Sequence, residues 1–377
     1  MSVDAQSQSA FVTRLPREVR DAIYLELWRS CGLRQHIVWH GDGTDRHFCR
    51  WPCATAYEVD DALQRRCEGL RRRLGMAAGQ SIRKAPDPEA AACSRRLQSP
   101  WMNHWACGEQ AEREHGLQAI CGFTTSEICC WKKDRVDKQH FPSRRSPYLP
   151  MLLSCKLISG ECLKSIYERT TFVFTDMRAI QMWFGYCELH PAMKEWPKLG
   201  ITPPGFFKYA RALELSLSPD FPLLLLCANC DLPGIERRHE VYDFHWLRLD
   251  RFQSLRTLNI WVSARSLTWS IPDGQRNYNF TGITQFDLDT LAKVLSPLGR
   301  VDSATLSTPL GPGVGPEQGY VESLPVRVYK RGSGDRFHPP LYRIEPGGVF
   351  DNVVHTSSTS EVRLSRNGGT YLVMKGA

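Results

Sequence analysis

The hydrophobic pattern first predicts a helix near the start of the chain. Pro16 suits the first turn of a helix, where its missing N–H costs nothing, and Gly32 suits a left-handed cap. Charged residues such as Glu18 and Arg20 fall largely on one side of this helix, which predicts a polar outer face. The apolar positions recur at three- and four-residue spacing and form the predicted inner stripe: Val19, Ala22, Ile23 and Leu27.

A second amphipathic helix is predicted at residues 151–169. Glu161, Lys164 and Glu168 sit off its apolar stripe. Because each helix has one apolar stripe to bury, we expect residues 15–28 to pack on residues 151–169. The stripe of the second helix consists of Leu152, Cys155, Ile158, Cys162, Leu163, Ile166 and Tyr167.

Strand patterns follow the second helix and alternate with helical ones. The segment 170–175 is β-rich, and the apolar residues of 212–217 and 257–262 occur at every second position. This alternation predicts strands with one buried face and one face exposed to water. Strands and helices that alternate from about residue 170 to 310 predict a mixed α/β fold, in which a helical start packs on an α/β domain.

The same patterns divide the chain into segments. Between residues 61 and 150 there are 16 lysines and arginines against 10 acidic residues, so this region holds most of the net charge of +8. Its apolar periodicity is weak, which predicts a partly disordered insertion. The predicted segments are a disordered tail (1–12), the first helix (13–32), a short strand hairpin (33–60), the basic insertion (61–147), the helix and α/β core (148–310), and a loop with C-terminal strands (311–377).

Two features predict an intracellular protein. Residues 1–30 lack the apolar core of a secretory signal, and the longest strongly apolar run, 222–228, is too short to span a bilayer. We therefore expect a location in the cytoplasm or nucleus, away from membranes, where the fourteen cysteines stay thiols.

Cysteine spacing gives two weak indications of a metal site. Cys227 and Cys230 form the chain's C-x-x-C pair, but no second such pair completes a four-ligand zinc set. Buried or loop thiols are the other interpretation of this pair. His47, Cys49 and Cys53 form a second group of ligand types, in the predicted hairpin. Neither group is complete, so we predict no metal and no cofactor.

Other chemistry is not indicated more strongly. There is no Gly-x-Ser-x-Gly elbow, and the glycines of 311–319 are interrupted by prolines that remove backbone donors from a phosphate site. We assign no catalytic residue, although a cryptic enzyme stays an alternative. Nucleic-acid binding through the basic insertion is a further alternative, carried by the clusters Arg71–Arg73, Arg95-Arg96, Lys132-Lys133-Arg135 and Arg144-Arg145.

The run Leu15-Pro16-Arg17-Glu18-Val19, followed by Ile23 and Leu27, resembles the opening of an F-box. An F-box is the small helical module that docks substrate receptors onto the adaptor of cullin ubiquitin ligases. The Cys-basic signature of such a module occurs only much later, at residues 152–156. This split arrangement, with the conserved-looking order from Leu152 to Phe174, is similar to a large family of uncharacterised filamentous-fungal proteins with domains of unknown function.

The resemblance implies a protein–protein interaction protein rather than an enzyme. A cullin ligase adaptor is the partner that it implies. Two interpretations of the first helix stay open at this stage: it packs internally and closes a core, or part of its surface stays available to a partner helix. The candidate partner-binding residues are Leu15, Pro16, Val19 and Ile23.

Overall fold

The computed structural model describes residues 9–40, 47–76, 85–97, 99–116, 148–184, 201–217, 247–263, 295, 298–309, 326–331, 342–344, 352–355, 362–366 and 369–375. The helices are α1 (Ala10–Arg14), α2 (Arg17–Cys31), α3 (Ala62–Arg73), α4 (Pro88–Leu97), α5 (Trp105–His115), α6 (Tyr148–Leu152), α7 (Lys156–Arg169), α8 (Met177–Phe184) and α9 (Pro204–Tyr209). The strands are β1 (Arg34–His40), β2 (His47–Pro52), β3 (Thr171–Phe174), β4 (Ala212–Leu217), β5 (Thr257–Val262), β6 (Ser303–Pro309), β7 (Val326–Arg331), β8 (Tyr342–Ile344), β9 (Asn352–His355), β10 (Val362–Arg366) and β11 (Gly369–Lys375).

A seven-stranded sheet forms the centre of the fold, in the order β2-β1-β3-β4-β5-β6-β7. Strands β1 and β2 pair antiparallel, as a hairpin requires, and every other neighbouring pair in this sheet is parallel. Strands β8 to β11 form a second, antiparallel sheet in the order β8-β11-β10-β9. The predicted mixed α/β fold is therefore confirmed. None of the helices in the described residues is long and apolar enough to cross a membrane.

One face of the main sheet carries the largest hydrophobic core. The predicted alternation is present, because Leu213, Leu215 and Leu217 of β4 and the matching residues of β5 are fully buried on this face. Helices α8 and α9 contribute aromatic residues to the same core, among them Trp183 and Phe206, whose ring centroids lie 5.2 Å apart.

The opposite face of the sheet is not exposed to water, contrary to the sequence-based expectation. Glu214 and Ser216, which alternate with the leucines of β4, are also buried. They are covered by residues that follow the β1–β2 hairpin: the Ser216 hydroxyl donates to Asn103, and the Tyr57 hydroxyl donates to the Ile260 carbonyl at 2.7 Å. Periodicity within β4 could not reveal this cover, because the covering residues come from a distant part of the sequence.

The basic insertion supplies much of that cover. Helices α3, α4 and α5 lie within it, while residues 117–147 lie outside the described part of the chain. The segment that begins at Pro88, within the insertion predicted to be partly disordered, forms α4. Pro88 is tolerated at the first helical position, and the Asp87 carboxylate accepts the Ala90 N–H at 2.8 Å. A small core joins α3 to α4 through Leu63, Cys67, Leu70, Ala90 and Cys93.

Helix α2 packs on α7, as predicted, but through a different side of the helix. Arg20, Tyr24 and Trp28 are the buried residues of α2. Val19 and Ile23, predicted to face inward, are 43% and 40% exposed. The residues of both stripes are spaced four apart, so the prediction rested on which stripe was more apolar, and it was wrong. The buried stripe contains a charged residue and two aromatic residues with polar atoms.

Candidate functional site

A buried ion pair holds α2 against α7. Arg20 donates two hydrogen bonds to the Glu161 carboxylate, from Nε at 3.0 Å and from Nη2 at 2.7 Å. The Tyr24 hydroxyl donates to the same carboxylate at 3.0 Å, and Arg17 approaches it to 2.6 Å. The third Arg20 nitrogen donates to the Leu15 carbonyl at 2.7 Å. Both charged groups are therefore well satisfied, although the sequence analysis placed Arg20 and Glu161 on polar outer faces.

The surroundings of Glu161 favour its charged form. Burial by itself would raise the pKa of this carboxyl, but hydrogen bonds from Arg20 and Tyr24 and the charge of Arg17 outweigh burial and lower the pKa below 4.5. Burial and the hydrogen bond to Glu161 raise the pKa of Tyr24, so the phenol keeps the proton that it donates. The network is thus fixed as one carboxylate among three donors.

The two separated segments on which the resemblance to an F-box was based meet at this helix pair. Tyr24 and Trp28 pack with Ile158 and Cys162, and the Trp28 indole N–H donates to Ser165 at 3.0 Å. Partly buried residues from α1, α6 and the start of α7 complete the same cluster: Phe11, Val12, Met151, Leu152 and Cys155.

The predicted partner-binding residues lie just before α2 or on α2 outside its buried stripe. Pro16, Val19 and Ile23 are exposed, while Leu15 is half-buried. We call these four residues, Leu15, Pro16, Val19 and Ile23, the outer face of α2. The internal-packing interpretation therefore applies to Tyr24 and Trp28, and the outer face is left accessible in the described part of the chain.

A second group of polar side chains lies on the covered face of the main sheet. It consists of His36, Cys53, His104 and Cys107, which we call the His–Cys cluster. His36 comes from β1, Cys53 follows the last residue of β2, and the other two residues begin α5. His36, His104 and Cys107 are fully buried, and Cys53 is half-buried.

Local backbone structure brings the four residues together. The Cys53 N–H donates to the Arg34 carbonyl at 2.9 Å, which keeps the chain beside β1 where the hairpin ends. Met102 adopts a φ of 52°, a left-handed conformation unusual for a residue with a side chain, in the turn that leads to His104. Gly108 lets α5 approach closely, because a Cβ there would lie 2.8 Å from the ring of Trp101.

The ligand-type atoms of the cluster all lie within 4.8 Å of one another. The Cys53 and Cys107 sulfur atoms are 3.8 Å apart, and Cys53 Sγ lies 3.3 Å from Nδ1 of His104. The imidazole rings of His36 and His104 meet edge to face with centroids 4.8 Å apart. Four groups of the kind that bind soft or borderline metals thus point at one buried point.

Polar neighbours surround the cluster on the sheet side. Cys107 Sγ accepts the Ala54 N–H at 3.2 Å, and the Thr55 hydroxyl lies 3.4 Å from the same sulfur. The other nitrogen of His104, Nε2, lies 4.0 Å from the Glu214 carboxylate. Arg34 pairs with that carboxylate at 2.5 Å, so the position of Glu214 is itself fixed.

Protonation in the cluster favours neutral imidazoles and a thiolate. Burial lowers the pKa of His36 and of His104, although Cys107 acts on both in the opposite direction. The hydrogen bond from Cys53 lowers the pKa of Cys107 well below its ordinary value, and the same contact together with burial raises the pKa of Cys53. Neutral imidazole and thiolate are the forms that bind metals.

Sequence reasoning found only one member of this cluster. Cys53 belonged to the group with His47 and Cys49, but those two residues lie farther along β2, and Cys49 is about 13 Å from Cys53 at the rise of an extended strand. Cys227 and Cys230 lie outside the described residues. The missed local signal is the pair His104-x-x-Cys107, which lies in the segment interpreted as a partly disordered insertion.

Several arginines of the basic insertion are paired with acids of the same insertion. Arg66 and Arg73 contact Glu89, at 3.4 Å and 2.6 Å, and Arg96 contacts Glu112 at 2.5 Å. Arg71 is buried. Part of the positive charge on which the nucleic-acid alternative rested is therefore neutralised internally. Compared with family models, with curated proteins and with solved structures, the chain matches none of them.

Proposed function

We propose that the protein is a non-enzymatic interaction protein that docks on a partner through the outer face of α2, in the manner of an F-box-like receptor. The observation that carries this proposal is that α2 is anchored by one side and open on the other. Arg20, Tyr24 and Trp28 hold it on α7, while Val19 and Ile23 stay 43% and 40% exposed. An exposed apolar pair one turn apart is the pattern that helix-in-groove recognition uses.

The joining of the split signature supports the same proposal. Residues of the first half, such as Tyr24, share one cluster with residues of the second half, Leu152 and Cys155, although the insertion separates them in the sequence. The sequences of these two segments resemble parts of an F-box, and the partner that the resemblance implies is the adaptor of a cullin ubiquitin ligase. The proposal places the protein in the cytoplasm or nucleus, where the free thiols of its described cysteines are stable.

The test is binding of the purified full chain to a purified cullin ligase adaptor. We expect the double variant Leu15→Ala and Pro16→Ala, and separately Ile23→Ser, to weaken binding at least tenfold, since truncating an interface anchor commonly costs more than about 2 kcal/mol. All variants should keep the wild-type circular dichroism spectrum, because Ile23 is exposed rather than in the core.

Ile201→Ser is the matched control. Ile201 is 48% exposed and lies outside the helix pair, so its substitution should leave adaptor binding unchanged. A wild-type chain that fails to bind the adaptor, or variants of the outer face that bind like wild type, would show that α2 serves only internal packing.

A further inference from the structure

We propose that His36, Cys53, His104 and Cys107 bind one Zn²⁺ ion. The distance between the two sulfur atoms fits a tetrahedral site, and both histidines lie close to them. Two thiolates bound to zinc at about 2.3 Å lie about 3.8 Å from each other. The Cys53 and Cys107 sulfur atoms are 3.8 Å apart, and all four ligand-type atoms fall within 4.8 Å of one another.

The chemical nature of the ligands selects zinc. Two thiolates and two imidazoles form the Cys₂His₂ set of structural zinc sites, whereas calcium and magnesium require oxygen ligands. All four positions of a tetrahedron are filled by protein, and three of the four residues are fully buried. A site closed in this way leaves no open position for substrate, so the ion is structural rather than catalytic.

Unpaired nitrogen atoms provide a second, independent observation. Both ring nitrogens of the fully buried His36, and Nε2 of His104, make no hydrogen bond of good geometry in the described residues, and the polar group that acts most strongly on His36 is the Cys107 thiol of the same cluster. A buried polar atom without a partner is costly and rare in native proteins. Zinc accounts for one nitrogen of His36 directly, because a neutral imidazole is a strong zinc ligand.

The surroundings of His104 match the outer shell of a zinc site. Its Nδ1 lies 3.3 Å from Cys53 Sγ, and its Nε2 lies 4.0 Å from the Glu214 carboxylate. With zinc on Nδ1, the Nε2–H has a carboxylate as its neighbour at 4.0 Å, and a carboxylate on this side is the usual outer partner of a metal-bound histidine. The Thr55 hydroxyl, 2.9 Å from Nδ1, then has Cys107 Sγ as its other neighbour, at 3.4 Å.

The ion would join parts of the chain that otherwise share few apolar contacts. The residues of the cluster lie in β1, directly after β2 and at the start of α5. The apolar cluster at this junction is small, since its buried members in the described residues are Trp51, Trp101, Cys107 and Ala111. Zinc thus fastens the insertion to the covered face of the sheet, which is a role distinct from docking through α2.

The main rival is a pair of thiols that shares one proton or oxidises to a disulfide. The sulfur separation of 3.8 Å is far longer than the ~2.05 Å of a disulfide bond. A thiol pair also leaves both nitrogens of His36 unpaired, whereas a metal ion binds one of them. Zinc is therefore the simplest occupant that satisfies all four side chains.

Metal analysis of the purified full chain tests the proposal. We expect about one zinc ion per chain, lost in Cys53→Ser and Cys107→Ser and in His36→Ala. Cys49→Ser is the matched control, since Cys49 is a buried cysteine on the same hairpin but outside the cluster. The double variant Cys227→Ser and Cys230→Ser should also keep its zinc.

A measurement on the wild-type chain guards against variants that fail to fold. After zinc is exchanged for Co²⁺, the protein should show the visible absorption of tetrahedral cobalt and a thiolate-to-cobalt charge-transfer band. Several outcomes would overturn the proposal: a chain without bound metal that takes up neither ion, a Cys53–Cys107 disulfide in the protein purified under reducing conditions, or zinc that is lost from either control variant but retained by Cys107→Ser.

Discussion

The helix pair and the covered face of the sheet bury polar groups in opposite ways. At the helix pair, Arg20 and Tyr24 direct all their donors at Glu161 or at backbone carbonyls, so the group satisfies itself. At the covered face, His36 keeps two unpaired nitrogens beside two thiols. A buried polar group that closes its own hydrogen bonds is explained by packing, whereas unpaired ligand-type atoms gathered around one point are explained by a bound ion.

The largest effect on stability is expected from a substitution of Glu161. Glu161→Gln removes the charge and leaves Arg20 buried against a neutral group, so we expect the free energy of unfolding to fall by about 3 kcal/mol in urea titrations. Replacing both partners, Arg20→Met with Glu161→Leu, should recover part of this loss because no unpaired charge remains.

The matched control for that change is Glu168→Gln on the same helix. Glu168 pairs with Arg211 at 2.7 Å, but it is partly exposed, and such a pair contributes only about 0.5 kcal/mol. Equal losses at Glu161 and Glu168 would mean that the buried network has no special role.

The second change addresses the proposed zinc site through its outer shell. Glu214→Gln keeps the shape of the side chain but removes the negative charge 4.0 Å from Nε2 of His104, so zinc affinity should fall about tenfold in competition with a chelator. Ser216→Ala, on the same face of β4, is the control and should leave the affinity unchanged. The Co²⁺ spectrum should keep its tetrahedral form in both variants. An unchanged zinc affinity in Glu214→Gln would show that Glu214 does not contribute to the site.

Acid provides a third and weaker perturbation. The pKa of Glu161 lies below its ordinary value of 4.5 in the folded protein, so the network contributes its full stability above pH 4.5 and loses it as the pH falls through the folded pKa. The difference in unfolding free energy between wild type and Glu161→Gln should therefore shrink below about pH 4.5. Urea titrations at several pH values measure this difference, and a difference that stays constant into the acid range would contradict the assignment.

The sequence predicted the features that depend on neighbouring residues, and it missed those that depend on contacts between distant residues. The alternation of Leu213, Leu215 and Leu217 is a property of one strand, and it correctly indicated a face in the core. The partner of Arg20 lies 141 residues away, so no local pattern could show that a charged residue belongs to the buried stripe. Hydrophobic periodicity then favoured Val19 and Ile23, which are more apolar than Arg20 and Tyr24.

The His–Cys cluster was hidden for a related reason. Its residues are brought together by the register of β1 with β2 and by the docking of α5 on the sheet. Only His104 and Cys107 stand at a recognisable spacing, and they lie in a segment whose charge suggested a solvated insertion. Once α5 is placed on the sheet, His36 and Cys53 become the obvious remaining ligands, since both lie on the hairpin beneath it.

The smallest change in the free energy of unfolding is expected for substitutions on the outer face of α2. This measurement distinguishes a role in internal packing from a role in docking. Val19→Ser and Ile23→Ser should each change the free energy of unfolding by less than about 0.5 kcal/mol, because both side chains are already about two-fifths exposed and make no part of the helix-pair core. Tyr24→Ser, one residue farther along the same helix, should cause a clear loss, because its ring is fully buried and its hydroxyl donates to Glu161. Urea titrations of the three variants measure the contrast directly. If Ile23→Ser destabilises the chain as much as Tyr24→Ser does, the apolar stripe predicted from the sequence is the inner one, and the surface proposed for a partner is part of the core.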